Sequence, residues 1–299
     1  MTRRLVGALG TVAAAGAACV AYGTIIERRW YRLSRLRIEG VLRAPGRRLR
    51  ILHVADLHLL PRQEHRISFL HGLAELDHDL VVATGDLLGG PDTEEVAAAA
   101  LAPLTSGDRP GLVVLGSNDL FGPVPKVPWI YLTEPDHRTA GVPLDTDRLI
   151  ERLGEHGYLT LRGGTAEIAT PAGTVAAGGF DDPHLETTVL PPATAVAPEP
   201  GSDAVLHLGL VHSPYLAALD VLVDAGHDLL LAGHTHGGQV RLPGIGALVA
   251  NCDLPLAQAR GLSRYRERWL HVSAGLGHSP YAPFRFACRP EATLLELTS

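Results

Sequence analysis

Five apolar runs in this chain each end in a small polar cluster, and that arrangement limits what it can fold into. Val54-Ala55 leads into Asp56-Leu57-His58. Residues 81–84 lead into Gly85-Asp86, residues 113–115 into Gly116-Ser117-Asn118-Asp119, and residues 209–211 into His212. Residues 229–232 lead into Gly233-His234-Thr235-His236-Gly237-Gly238. The runs have the length and composition of buried strands. Helical stretches are expected at 67–76, at 92–104 with Asp92 and Thr93 as caps, and at 215–225. The alternation of strand and helix from Leu49 to Leu115 argues for a parallel sheet with helices on its faces. In open α/β sheets the carboxyl ends of the strands converge on one crevice, so the five clusters should meet in space.

The remaining chain fits around that frame. Residues 145–154 read as a short helix. Residues 158–178 alternate, with Pro171-Ala172-Gly173 as a hairpin turn, and Leu242-Pro243-Gly244 marks another turn. Residues 269–273 and 293–297 read as strands. Two loops stand out: 122–142, rich in Pro and aromatics, and 191–202, rich in Pro and Ala. Long loops in compact domains are often functional, and substrate specificity is expected there. No internal repeat is present.

Composition narrows the function. The chain has 299 residues, 46% hydrophobic and 19% charged, which suits a folded domain. Its formal net charge of -6 argues against a general polyanion binder, and no nucleic-acid partner is expected. Of the three cysteines, Cys252 and Cys288 read as thiols ahead of a disulfide pair. Fifteen histidines are present, several of them beside Asp, Gly or Asn at the ends of apolar runs. Core histidines do not usually fall that way.

No charged side chain occurs from Leu5 to Ile26, close to the ~20 residues that span a bilayer as a helix. Arg3 and Arg4 precede the run, and Arg28, Arg29, Arg32, Arg35 and Arg37 follow it. A cleaved signal peptide, a twin-arginine export signal and a lipoprotein signal ending at Cys19 compete with a retained anchor. The anchor is preferred, because the run is long, arginines follow it at once, and Gly16 stands where a lipoprotein signal has Leu. The arginine-rich C-terminal flank favours a cytoplasmic domain, whereas an export signal would place it outside. Residues 1–26 are thus expected to be an anchor in the cell membrane. Residues 27–48 are expected to be a basic juxtamembrane segment and linker, with Trp30 to Arg37 either along anionic headgroups or a stop-transfer flank. The catalytic domain is expected at 49–299.

The clusters supply nitrogen and oxygen donors, which suit Mn, Fe or Zn better than Ca. Asp-x-His and His-x-His can each turn both side chains to the same side. Asp56, His58, Asp86, Asn118, His212, His234 and His236 exceed the needs of one tetrahedral ion. They suit two ions sharing a carboxylate, a device that can hold a hydroxide nucleophile and clamp a phosphate during in-line displacement.

In this order the motifs resemble those of the calcineurin-like metallophosphoesterase superfamily: Asp-x-His, Gly-Asp, Gly-Asn-His-Asp/Glu, His, Gly-His-x-His. Gly233 to Gln239 is similar to its membrane-associated bacterial branch. The resemblance implies an α/β fold, a βαβ sandwich of two mixed sheets flanked by helices, here preceded by one transmembrane helix. It implies two divalent or trivalent ions of Mn, Fe or Zn type. Asp56, His58 and His236 would hold the first, His212 and His234 the second, and Asp86 would bridge. The implied activity is hydrolysis of a phosphomonoester or phosphodiester; a lipid-linked or envelope phosphate is suggested only by the uncharged run from Leu5 to Ile26.

The third motif departs from the pattern. Without a gap, Ser117 takes the place of the metal-binding Asn and Asn118 that of the His. With a shift of one residue, Asn118 remains the ligand and Asp119 replaces the His as catalytic acid. The shifted register is preferred, because an amide oxygen coordinates better than a hydroxyl. Loss of the histidine makes a metal-binding scaffold or sensor with little turnover the alternative reading. Asp181, Asp182 and His184 are expected either to touch substrate or to cap a turn. His278 reads as a surface histidine ahead of a pocket-mouth residue, and His53 as a core histidine. Asn251 and Asp253 suggest no role.

Overall fold

The computed structural model describes residues 2–125, 139–184 and 189–299, with the backbone alone for 2–10 and 12. Two six-stranded sheets pack face to face. In the first, the order is β1 (Arg32–Ile38), β14 (Glu291–Thr298), β2 (Arg48–Val54), β3 (Leu80–Thr84), β4 (Gly111–Val114) and β5 (Tyr158–Thr160). Strands β2 to β5 are parallel, and β14 runs antiparallel to β2. The second sheet has the order β12 (Gly261–Tyr265), β13 (Arg268–Val272), β9 (Leu229–Ala232), β8 (Leu206–Leu210), β7 (Gly173–Gly179) and β6 (Gly164–Thr170). Its four middle strands are parallel, and each edge strand is antiparallel to its neighbour. A two-stranded ribbon, β10 (Arg241–Leu242) and β11 (Gly246–Ala247), follows the fifth cluster.

Most strands are apolar throughout because both faces are covered. Ile51, Val82, Leu112 and Val114 point between the sheets and meet Val175, Leu208, Leu210 and Leu231. Leu52, Val54, Val81, Ala83 and Val113 point outward, against helices α2 (Glu64–Leu73), α3 (Glu94–Leu101) and α5 (Thr146–Glu155). Leu230, Leu270 and Val272 face outward from the second sheet, against α7 (Leu216–Asp224). Single turns occur at α4 (Ser117–Leu120) and α6 (Ala193–Val196), the latter inside the expected 191–202 loop. Asp145 caps α5 by accepting from Arg148 N. Thr93 does not cap α3 with its side chain; its hydroxyl donates to the Gly90 carbonyl. The expected loop at 122–142 lies largely outside the described residues, which resume at 139.

The segment before Leu49 differs from the expectation of a linker. Strand β1 pairs in parallel with β14 along its whole length, and Ile38 is buried in the inter-sheet core. Its arginines occupy the edge: Arg32 pairs with Glu291, and Arg35 and Arg37 are exposed. The apolar run before it is not one uninterrupted helix. Helix α1 (Thr2–Ala21) ends at Ala21, and Tyr22–Ile26 and Glu27–Arg29 form tighter or wider turns packed on the domain. Gly23 O accepts from Arg285 N, and the buried Glu27 carboxylate accepts from Ala287 N and Cys288 N. Among the described residues no helix is long and apolar enough to cross a membrane. All three cysteines are free, Cys288 buried and Cys252 half-buried.

A chain beginning at Leu49 therefore loses a paired strand and the buried side chain of Ile38, which alone stabilises by about 1.5–3 kcal/mol. It should unfold at a clearly lower temperature than a chain beginning at Tyr22. Equal melting temperatures would contradict the assignment of residues 22–38 to the domain.

Candidate metal centre

The five clusters do converge. They lie at the carboxyl ends of β2, β3, β4, β8 and β9, where parallel strands of both sheets open onto one cavity of about 590 Å³. The backbone is strained where the side chains turn in. Asp56 (φ 51°), His58 (φ 41°), Asp86 (φ 53°), His234 (φ 71°) and His236 (φ 49°) all have left-handed conformations. Such residues cluster at functional sites, where the surrounding structure holds them. Gly116 shows how tightly the loops fit, since a Cβ there would overlap Asp86 Oδ1.

Three overlapping groups of donor atoms result, each within 4.8 Å: Asp56, His58 and His236; Asp56, Asp86 and His212; and Asp182, His212 and His234. His58 Nε2 and His236 Nε2 face each other at 3.3 Å. Two donors each about 2.1 Å from one ion lie roughly 3.0–3.4 Å apart, so this pair has the spacing of a shared cation. Asp86 Oδ2 stands 3.4 Å from both His58 Nε2 and His212 Nε2. Asp56 Oδ2, His58 Nδ1 and His212 Nε2 are buried without a hydrogen-bond partner. Unpaired buried polar atoms are costly, and His212 Nε2 lies beside Asp56 and Asp86 in the space that a cation would fill.

The electrostatics agree. Burial pushes the Asp56 carboxyl up to about 7, and the nearby Asp86 adds to this. Burial lowers His58 to about 4 and holds His236 well below its ordinary value, so both imidazoles are neutral and keep a lone pair for a metal. Burial opposes the charge on His212 as well, but Asp86, Asp182 and Asp56 together hold its proton affinity well above the ordinary range. A bound cation would take the place of that proton.

Second contacts aim the rings. His212 Nδ1 lies 2.6 Å from the Thr84 carbonyl, which fixes its proton there and leaves Nε2 for the cavity. His234 Nε2 lies 3.0 Å from the Asn251 carbonyl, which leaves Nδ1. Arg285, fully buried, donates to the carbonyls of Ala274, Gly277 and Cys288 and lies 3.3 Å from His236 Nδ1. Arg66 holds the first loop by donating to Leu57 O and His58 O. Sequence reasoning gave Asn251 no role and missed Arg66 and Arg285. A buried arginine leaves no motif, because its partners are carbonyls of any residue type.

The third motif is arranged otherwise than expected. Asp119 does not face the cavity. Its Oδ1 accepts from Leu87 N and Leu88 N, and its Oδ2 from Gly116 N, so the carboxylate ties the second loop to the third. With all three amides committed to it, Asp119 is a brace rather than an acid at the cavity. Ser117 and Asn118 both line the cavity. Asn118 N donates to Asp86 Oδ1 at 2.9 Å and its Nδ2 to Asp86 Oδ2 at 2.7 Å. This geometry suits the ungapped register, with Ser117 in the place of the family's Asn.

The other candidates divide. Asp181 pairs with Arg162 at the surface, whereas Asp182 is buried beside the second donor group. His184 lines the cavity, lies tilted against His234 with ring centroids 4.4 Å apart, and meets Tyr215 Oη at 2.9 Å. His278 is buried, not a surface residue; its Nδ1 meets Ser279 O and its Nε2 faces Arg28. His53 is a core histidine between His271 Nδ1 and Thr84 Oγ1, both at 2.9 Å. Asp253 accepts from Leu216 N at the start of α7.

Comparison with known proteins matches this frame. The calcineurin-like phosphoesterase family matches residues 49–238. Phosphodiesterase YaeI of Escherichia coli (strain K12) is 42% identical over 104 residues, 33% of this chain and 36% of that protein. The match thus spans about a third of YaeI's own length. The metallophosphoesterase YkoQ of Bacillus subtilis (strain 168) is 28% identical over 255 residues, 84% of each chain. YkuE of the same organism is 26% identical over 258 residues, 84% of this chain and 79% of that one. With its motifs at the mouths of five strands and the family match over most of its length, the chain belongs to the calcineurin-like phosphoesterases.

Proposed function

We propose that this chain hydrolyses a phosphomonoester or phosphodiester at a two-metal site. The chain of overlapping donor groups carries the reading: the middle group, Asp56, Asp86 and His212, joins one cluster at His58 and His236 to another at His234, so Asp86 lies between two sets of nitrogen donors. Ions bound there would polarise phosphate oxygens and acidify a water toward neutral pH. In this reading Asp56, His58 and His236 hold the first ion, His212 and His234 the second, and Asp86 is shared. Its equal distance from His58 and His212 supports that last role. Asn118 fixes both oxygens of Asp86 and so orients the shared carboxylate.

Where the family has histidine, Asn118 can hydrogen-bond a phosphate oxygen but cannot deliver a proton. General acid catalysis contributes about 10²–10⁴-fold, so the reading favours leaving groups of low pKa. That departure also favours the alternative of a metal-binding scaffold with little turnover. The full chain, purified with Mn, should hold two ions and hydrolyse bis-p-nitrophenyl phosphate or p-nitrophenyl phosphate. An Asp86→Asn variant should lose that turnover; full retention would refute the site. Two ions without turnover would support the scaffold.

The substrate reading rests on the cavity wall. Beyond the donor groups it is apolar, with Phe121, Leu248, Val249, Pro283 and Phe284, and Val20 from the end of α1 stands on it. Val20, Ile25, Ile26 and Trp30 are exposed nearby in the chain. An amphiphilic, lipid-linked phosphoester suits such a wall, and α1 would attach the domain to the membrane that supplies it. Each buried methylene contributes about 0.8 kcal/mol, roughly a factor of four. Hence kcat/KM should rise with acyl length across a series of phosphoesters, and Leu248→Asp should flatten the rise. No dependence on chain length would contradict the lipid-linked substrate while leaving the metal site untouched.

A further inference from the structure

Ser117 stands where the family places an amide ligand, and a neutral hydroxyl is a weak donor. The second ion is then left with Asp86, His212 and His234. The residue that meets this gap comes from another strand. Asp182 follows β7, at the carboxyl end of the strand next to β8, and is almost fully buried. One of its carboxylate oxygens lies within 4.8 Å of ring nitrogens of both His212 and His234. Its Oδ2 accepts from Ser117 N at 2.9 Å, and its Oδ1 from His184 N at 3.1 Å.

We infer that Asp182 is a ligand of the second metal, taking the coordination place that Ser117 leaves open. The inference rests on the two-metal reading above. Each carboxylate oxygen has two lone pairs and uses one on a backbone N–H, so one per oxygen remains for an ion. His212 Nε2 is buried with no partner, and the Asn251 carbonyl leaves His234 Nδ1 available, so two nitrogens and an anionic oxygen surround one space. The Ser117 N–H bond places the carboxylate directly against the third motif, where the family's amide side chain would be anchored. The substitution also changes charge. Asp56, Asp86 and Asp182 put three carboxylates on the pair of ions, one more than an Asn-containing site has. Hard oxygen donors of this kind favour Mn or Fe over a soft-ligand metal.

The test uses the full chain in detergent with Mn as the probe, counting ions per chain and recording the electron paramagnetic resonance of the bound Mn. Wild type should hold two ions with the signature of a coupled pair. Asp182→Ala should hold one, with the six-line signal of an isolated ion, and the surface variant Asp181→Asn should hold two. Because Asp182→Ala also frees two backbone amides, Asp182→Asn is measured beside it; it keeps acceptor capacity and should weaken the second ion by about tenfold or more. Two ions bound to folded Asp182→Ala or Asp182→Asn at wild-type affinity would overturn the assignment alone. A wild-type chain that holds a single ion would overturn the two-metal reading and the assignment with it.

Discussion

Three carboxylates and four imidazoles share one buried space in this protein, and that concentration of charge and lone pairs is what the rest of the structure is built to hold. Asp56, Asp86 and Asp182 are each at most 3% exposed. Like charges removed from water repel strongly unless a cation or a proton accompanies them. Burial drives Asp56 toward protonation and His58 and His236 toward neutrality, which leaves a set of donors whose best partner is a metal ion. The apolar strands of both sheets provide the rigid frame, and the strained loops at their ends turn the donors inward.

The loops are braced from behind by groups that never reach the cavity. Asp119 joins the second and third loops, Arg66 secures the first, and Arg285 gathers the carbonyls behind His236. Thr84 connects the ring of His212 to the His53–His271 pair through its carbonyl and its hydroxyl. Ring direction is thereby set before any ion arrives, which lowers the cost of ordering the site around one.

Much of this was legible in the sequence, and the reasons for success and failure are physical. Strand-end polar clusters were readable because parallel strands buried on both faces form short apolar runs, and the strands at 80–84 and 229–232 fall where expected. Asp56, His58, Asp86, His212, His234 and His236 do come together. Strand β1 was hidden because it is an edge strand whose outward positions are arginines, so it resembled the basic flank of an anchor. Asp119 misled because spacing places a residue near a site without saying which way its side chain turns. Asp182 was visible as a candidate, but only the pairing of β7 with β8 brings it beside His212 and His234.

The N-terminal segment forms part of the rim of the site. Turns at Tyr22–Arg29 are stitched to residues 284–288 through Gly23 and Glu27, and Val20 and Thr24 stand on the cavity wall. Anything that moves α1 therefore also moves the rim of the site. Two ions lying side by side between the donor groups are the central requirement of the site, and anomalous scattering from crystals grown with Mn tests for them most directly. Two peaks about 3.5–4 Å apart, one beside His58 and His236 and one beside His212 and His234 with Asp86 between them, are the predicted result. A single peak, or none at this cavity in Mn-saturated crystals, would contradict it.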